Sequence, residues 1–260
     1  MYEFTYRRPS SLDEAKRLIA EEDGQALSGG QTLMPVLRAR LAMPSMLVDL
    51  TRLDELKSVS MEGERIVILG ATTHAEVASN PLVHEHCPAL AALAGGIGDP
   101  QVRHRGTIGG SVANNDPAAC YPSACLALDA EIRTDRRTIA ARDFFTSMFE
   151  TALEQGEIVT AVSFPACREA HYEKFPNPAS RFALIAVFAA RLGGQTRLAV
   201  TGGGTGVFRW QGGEGAADQG GDLATASLDE AHFTGDLHAS TAYRMHLTRV
   251  MAQRALAAIG

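Results

Sequence analysis

Two glycine-rich stretches carry the residue types best suited to holding a ligand. The first is Leu27-Ser28-Gly29-Gly30-Gln31-Thr32-Leu33-Met34. Its adjacent glycines free the backbone to turn so that several N–H groups point one way, the nest geometry that holds phosphate. Gln31 and Thr32 add side-chain donors, and a helix starting near Thr32 would turn its positive end toward the same point. The stretch is neither G-x-G-x-x-G nor a P-loop. The second is Arg105-Gly106-Thr107-Ile108-Gly109-Gly110-Ser111-Val112-Ala113-Asn114-Asn115-Asp116-Pro117, another Gly-Gly pair flanked by hydroxyls. A dinucleotide needs many amide donors on its pyrophosphate and hydroxyl or amide partners on its ribose or ribityl chain, and paired nests can supply them. Two tight turns in a β-rich domain account for the same residues, and the residues alone leave both readings open.

Other chemistries find little support. Cys87, Cys120, Cys125 and Cys167 are scattered, with no C-x-x-C pair to clamp zinc or an iron–sulfur cluster, and read as reduced thiols. No Ser-His-Asp set, metal cluster or paired-carboxylate site is evident. The chain has 30 acidic and 24 basic residues, a net charge of -6, and no dense Lys/Arg block, which argues against nucleic acid. No run approaches the roughly 18 to 20 apolar residues that cross a bilayer, and Met1 to Ser10 lacks the apolar centre of a signal peptide. A cytoplasmic protein without membrane insertion is expected. Hydrophobic residues make up 45% and charged residues 21%, enough apolar material for an ordered core.

The elements that must position the two loops follow from periodicity. Ser11 and Glu14 form an S-x-x-E capping box, and Leu12, Ala15, Leu18 and Ile19 follow at helical spacing, predicting a helix that ends near Asp23-Gly24. Ala26-Leu27 is a short strand opening onto the first loop. Leu47 to Leu50 and Arg65 to Leu69 read as strands, the latter closed by Gly70. Helices are predicted from Thr73 to Asn80-Pro81 and from Pro88 to Ala94. Gly98 to Pro122, rich in glycine, is expected to be a long ordered loop. Strands resume at Glu131 to Thr134 and at Val159 to Phe164, where Pro165 stops the pairing. Phe182 to Leu192 and Arg197 to Thr201 read as hairpin strands, Gly212 to Ala226 as a surface loop, and Thr241 to Ile259 as a helix with Tyr243, Leu247, Val250 and Met251 on one face.

In this order the motifs resemble the FAD-binding medium subunits of the molybdenum hydroxylases, the xanthine dehydrogenase and aerobic carbon monoxide dehydrogenase family. The resemblance rests on Ser28-Gly29-Gly30-Gln31-Thr32-Leu33, Leu47-Val48-Asp49-Leu50, Gly70-Ala71-Thr72-Thr73-His74 and Arg103-His104-Arg105-Gly106-Thr107-Ile108-Gly109-Gly110-Ser111. Gly156-Glu157-Ile158-Val159, Tyr172-Glu173-Lys174-Phe175 and the last helix extend it over essentially the whole chain.

The resemblance implies an α+β fold: an FAD-binding domain of two α/β subdomains, then a small C-terminal domain with a three-stranded antiparallel sheet and helices. Boundaries are expected at 1–165, with subdomains of about 1–55 and 56–165, and at 166–260. It implies FAD contacts from Leu27, Ser28, Gly29, Gly30, Gln31, Thr32, Leu33 and Met34, and from Thr107, Ile108, Gly109, Gly110 and Ser111. It further implies contacts from Val159 beside the flavin, Tyr172 near its ring and Lys174. Taken alone, Lys174 reads as a solvated surface lysine and Tyr172 as a packing aromatic. Asp116 reads as a cap for the following helix, with Pro117 at its first position. Many relatives carry an acid where this chain has Cys120, which puts one FAD contact in question, and a small amide where it has His104.

The function implied is electron transfer. A molybdopterin-binding large subunit oxidises the substrate, a 2Fe-2S small subunit relays the electrons, and FAD on this chain passes them to an external acceptor. The alternatives are a stand-alone FAD oxidoreductase and a nucleotide-binding scaffold without redox activity.

Overall fold

Short strands and helices alternate through the first half of the chain in the computed structural model, which describes residues 1–21 and 24–259. The opening unit is β1 (Thr5–Arg7), α1 (Leu12–Glu21), β2 (Gly24–Leu27), α2 (Leu33–Arg38) and β3 (Met46–Asp49). Its strands form a parallel sheet in the order β1-β3-β2. A parallel sheet must be covered, and β3 is buried at all four positions, with Ala15 and Ile19 of α1 packed in the same small core. The start of α1 differs from a closed capping box. Ser11 Oγ accepts from Glu14 N at 3.2 Å, but the Glu14 carboxylate accepts from Ser10 N and Oγ, one residue earlier. The expected helix end at Asp23 lies outside the described residues.

The middle of the chain builds a second sheet from both of its ends. It comprises β4 (Val59–Glu62), β5 (Arg65–Leu69), six helices, and then β6 (Glu131–Thr134), β7 (Thr138–Ala140), α9 (Ala141–Phe144), β8 (Phe145–Ser147), β9 (Glu150–Thr151) and β10 (Val159–Pro165). The helices are α3 (His74–Ser79), α4 (Pro81–His86), α5 (Pro88–Gly95), α6 (Pro100–Arg103), α7 (Ile108–Asn114) and α8 (Tyr121–Ala127). The antiparallel order β4-β5-β10-β6-β7 places β10 at the centre, and Pro165 closes it as the partner of Arg65. Ile66, Ile68, Val162 and Phe164 then face the helices as one core.

The segment from Gly98 to Pro122 is a correction: it is largely helical, holding α6, α7 and the start of α8. Glycines in the first turn of α7 hid it, because Gly is a weak helix former. They are there because a Cβ on Gly109 would stand 2.6 Å from the Gly70 carbonyl oxygen.

The last third forms β11 (Ala170–Pro176), β12 (Ala183–Leu192), β13 (Gln195–Thr201), β14 (Phe208–Arg209), α10 (Gln211–Asp218) and α11 (Thr241–Ile259). Three antiparallel strands carry the sheet, with the two-residue β14 added at its edge. The apolar run of β12 has a direct cause, since the sheet is buried on both faces. Phe188 and Ala190 point into the core of α5 and α8, while Ile185, Val187 and Ala189 point at α11.

Two further readings are corrected here. Residues 212–226 include α10, whose Gly213 lies so close to Trp210 that a Cβ would come within 2.5 Å of the indole; the packing demands glycines that look like a loop. On α11, Leu247 and Met251 are buried as expected, but Tyr243 is exposed and the inward positions include Arg244, Thr248, Ala252 and Ala255. Arg244 is held there by the Leu184 and Gly202 carbonyls and by Asp236.

Because Phe188 is fully buried at the junction of the third sheet with the central helices, Phe188→Ala is expected to cost about 3–5 kcal/mol in urea unfolding. A loss below about 1 kcal/mol would contradict this packing.

Candidate functional site

The loops that leave the three sheets meet around one open cleft of about 990 Å³, at the upper end of the range for small-molecule sites. The two glycine stretches form its floor and touch directly: Ser28 Oγ and Thr107 Oγ1 are 2.8 Å apart. The approach is closer still at Gly29, where a Cβ would sit 2.1 Å from the Arg105 carbonyl oxygen. Gly30 has φ +71, the left-handed region that Gly enters freely, and this turns the chain from β2 into α2.

The second stretch is fixed to a third segment, residues 70–74. His74 N donates to Gly106 O at 2.9 Å, Ile108 N to Thr72 O at 3.1 Å and Gly109 N to Gly70 O at 2.9 Å. Gly70 in turn donates to Thr160 O at 2.7 Å, tying the assembly to β10. At the start of α3, Thr73 and Glu76 complete a capping box, which fixes where 70–74 ends.

The residues expected to hold the ligand fall into two groups. Leu27, Ser28, Gly29, Gly30, Gln31, Thr32 and Leu33 line the cleft, as do Thr107, Gly109, Gly110, Ser111, Val159 and Lys174. Met34, Ile108 and Tyr172 are not on its walls. Ile108 is fully buried in the central core, and Tyr172 packs its ring 6.2 Å from that of Phe188.

Two expected roles change in detail. Gln31 Nε2 donates to Gly29 O at 3.2 Å, so part of its side chain steadies its own loop. Gly109 and Gly110 belong to α7 and do not form a nest; Thr107 caps that helix by accepting from Gly110 N at 3.2 Å. By contrast Thr32, at the start of α2, makes no side-chain cap bond, so its hydroxyl is not committed to the helix. Asp116 accepts from Ala118 N at 2.8 Å in a turn, and α8 begins only at Tyr121, so Asp116 is not that helix's cap. It lines the cleft, and burial raises its pKa against the opposing Ala118 bond.

His74 was not singled out in the sequence, although Thr73-x-x-Glu76 marks its place at a helix start. It lines the cleft with 5% exposure, its ring 5.4 Å from that of Tyr121 and its Nδ1 buried without a partner. Burial, aided by the Arg103 charge, pushes its pKa down to about 4. The opposite wall, residues 153–159, is anchored by Glu157. Burial alone would raise that carboxyl, but Arg137, the Glu154 amide and Thr134 bring it down to about 2.

Residues 2–167 match the family described as FAD binding domain in molybdopterin dehydrogenase. The chain belongs to this family. It is an oxidoreductase subunit, and FAD is its cofactor. Over 97% of its length it is 32% identical to the carbon monoxide dehydrogenase medium chain of Hydrogenophaga pseudoflava, covering 96% of that protein. It is 30% identical to the nicotine 6-hydroxylase medium subunit of Paenarthrobacter nicotinovorans, covering 98% of this chain and 96% of that one. Among solved structures, carbon monoxide dehydrogenase from Hydrogenophaga pseudoflava superposes with a TM-score of 0.87 at 30% identity, covering 99% of this chain and 97% of that chain. Quinoline 2-oxidoreductase from Pseudomonas putida 86 gives 0.87 at 26% identity, with the same coverage.

The cleft fits such a cofactor in the family's terms. Its floor is backbone packed so closely at Gly29 and Gly109 that no Cβ could be added, and Ser28, Thr32 and Ser111 are on its lining. Among the described residues no cluster of His, Cys, Asp and Glu could hold a metal ion.

Gly29→Ala must push the two loops apart, so a drop of at least about tenfold in FAD affinity is expected by fluorescence titration. His74 gives a second expectation. The unfolded chain binds this proton near 6.5 but the buried ring only near 4, so stability holds above 6.5 and falls as pH drops from there toward 4. The total loss is about 3 kcal/mol at about 1.4 kcal/mol per pH unit, measured by urea unfolding across that range and removed in His74→Gln.

Proposed function

We propose that this chain is the electron-transfer subunit of a molybdenum-containing hydroxylase or dehydrogenase. In this reading a molybdopterin-binding large subunit oxidises the substrate and a 2Fe-2S small subunit delivers the electrons to FAD on this chain, which passes them to an external acceptor. The observation that carries it is the joining of both glycine stretches at a single cleft. The medium-chain and medium-subunit names of its relatives support the same reading.

The work of the protein is then placement. We assign Leu27, Ser28, Gly29, Gly30, Gln31, Thr32 and Leu33 to the donors for a diphosphate and a polyhydroxyl chain, with the Ser111 hydroxyl beside them, and Thr107, Gly109 and Gly110 to the floor on which the cofactor rests. Val159 offers an aliphatic wall and Lys174 a positive charge. Met34, Ile108 and Tyr172 act from behind, by packing. Bound FAD supplies the redox chemistry, taking electrons singly and releasing them in pairs. We further propose a division at about residue 165, with subdomains of about 1–55 and 56–165 before it and a C-terminal domain of 166–260 after it, and a cytoplasmic location. No helix among the described residues is long and apolar enough to cross a membrane.

The test is an absorbance spectrum of the purified chain with and without added FAD, then reduction in the presence and absence of its partner subunits. Flavin bands near ~370 and ~450 nm, with reduction by the organic substrate only in the full assembly, are expected. Reduction of the isolated chain by a small organic donor would point instead to a stand-alone oxidoreductase.

A further inference from the structure

At one end of the cleft three elements converge on a cysteine. Lys174 reaches from β11 and donates from Nζ to Gly96 O, at the end of α5, at 3.0 Å and to Cys120 Sγ, just before α8, at 3.5 Å. Cys120 is 5% exposed and lies on the cleft lining. Tyr172, two residues from Lys174 and so on the same face of β11, has its hydroxyl buried without a hydrogen-bond partner. Burial first, and Cys120 second, push that phenol well above its ordinary range.

Two carboxylates of the cleft wall are matched. Glu154 pairs with Arg136 at 3.1 Å and Glu157 with Arg137 at 3.0 Å. Lys174 differs, because among the described residues no carboxylate pairs with it. An ammonium has three donors, and its two partners here are a carbonyl and a sulfur, the latter a weak acceptor. A cation so placed acts on whatever occupies the cleft, and in a partly desolvated site its field is strong.

We propose that Cys120 is a positioning residue that tunes the flavin: by meeting Lys174 with a thiol and not a carboxylate, it leaves that positive charge directed at bound FAD and raises its reduction potential. Reduction adds negative charge to a flavin ring, so a nearby uncompensated cation favours the reduced form. A carboxylate at 120 would pair with the ammonium and cancel most of this effect. The inference rests on FAD binding in this cleft and deepens that reading.

The experiment is a dye-equilibrated reductive titration of the full chain loaded with FAD, alongside FAD affinity by fluorescence. Cys120→Asp is expected to lower the potential by about 30 mV, a tenfold shift in a two-electron equilibrium. Cys120→Asn, of the same shape but uncharged, should stay within about threefold of the wild type on the same scale. Lys174→Met should fall as Cys120→Asp does, and it carries the test if Cys120→Asp folds poorly. Equal potentials for the Asp and Asn variants, or an unchanged potential in Lys174→Met with FAD bound, would overturn the proposal alone. A wild-type chain that takes up no FAD overturns the cofactor reading and the proposal together.

Discussion

The cleft depends on one set of backbone bonds, those joining residues 70–74 to residues 106–109. Through them Gly70 is held against β10 on one side and Gly109 on the other, at separations that exclude any side chain. The second glycine stretch is thereby set on the central sheet, and the first reaches it through Gly29 and the Ser28–Thr107 contact. Buried backbone groups are expensive to leave unpaired, so this arrangement has little freedom to open without losing several bonds at once. A floor of that kind can present donors to a ligand with little ordering cost at binding.

Around this floor the charged groups serve mainly to brace walls. Glu157 is enclosed by Arg137, Thr134 and the Glu154 amide, and it fixes the turn that leads into β10. Glu214 plays the corresponding part in the third sheet, accepting from Leu198 N at 2.9 Å and from Arg209 Nη2 at 2.7 Å. Both carboxylates have their lone pairs occupied, which suits a structural role and leaves neither free to move a proton in the cleft. Lys174, where the third sheet meets the cleft, has no carboxylate partner among the described residues.

The third sheet matters to the site for a geometric reason. It is buried on both faces, by the central helices and by α11, and this holds β11 at a fixed distance from α5 and α8. Lys174 and Tyr172 consequently approach Cys120 from a strand that packing has already immobilised. The family relationship makes FAD the cofactor of this chain.

Local chemistry was legible in the sequence. The strands at 47–50, 65–69, 131–134 and 159–164, the β12–β13 hairpin and the last helix all followed from apolar periodicity, and the residue types of both glycine stretches left a ligand nest and a tight turn equally open. Long-range packing was not legible. Gly109 and Gly213 read as loop residues because nothing local reveals that another backbone, or the Trp210 ring, occupies the space a Cβ would need. The burial of Arg244 on α11 was not legible because a buried guanidinium depends on carbonyls from two distant strand ends. His74 and the Cys120–Lys174 contact likewise join residues far apart in the chain. The sequence by itself determined which segments could turn, bind and pack; only the tertiary structure decided which of them share one cleft, since proximity between distant residues is set by sheet order and close packing and not by local composition.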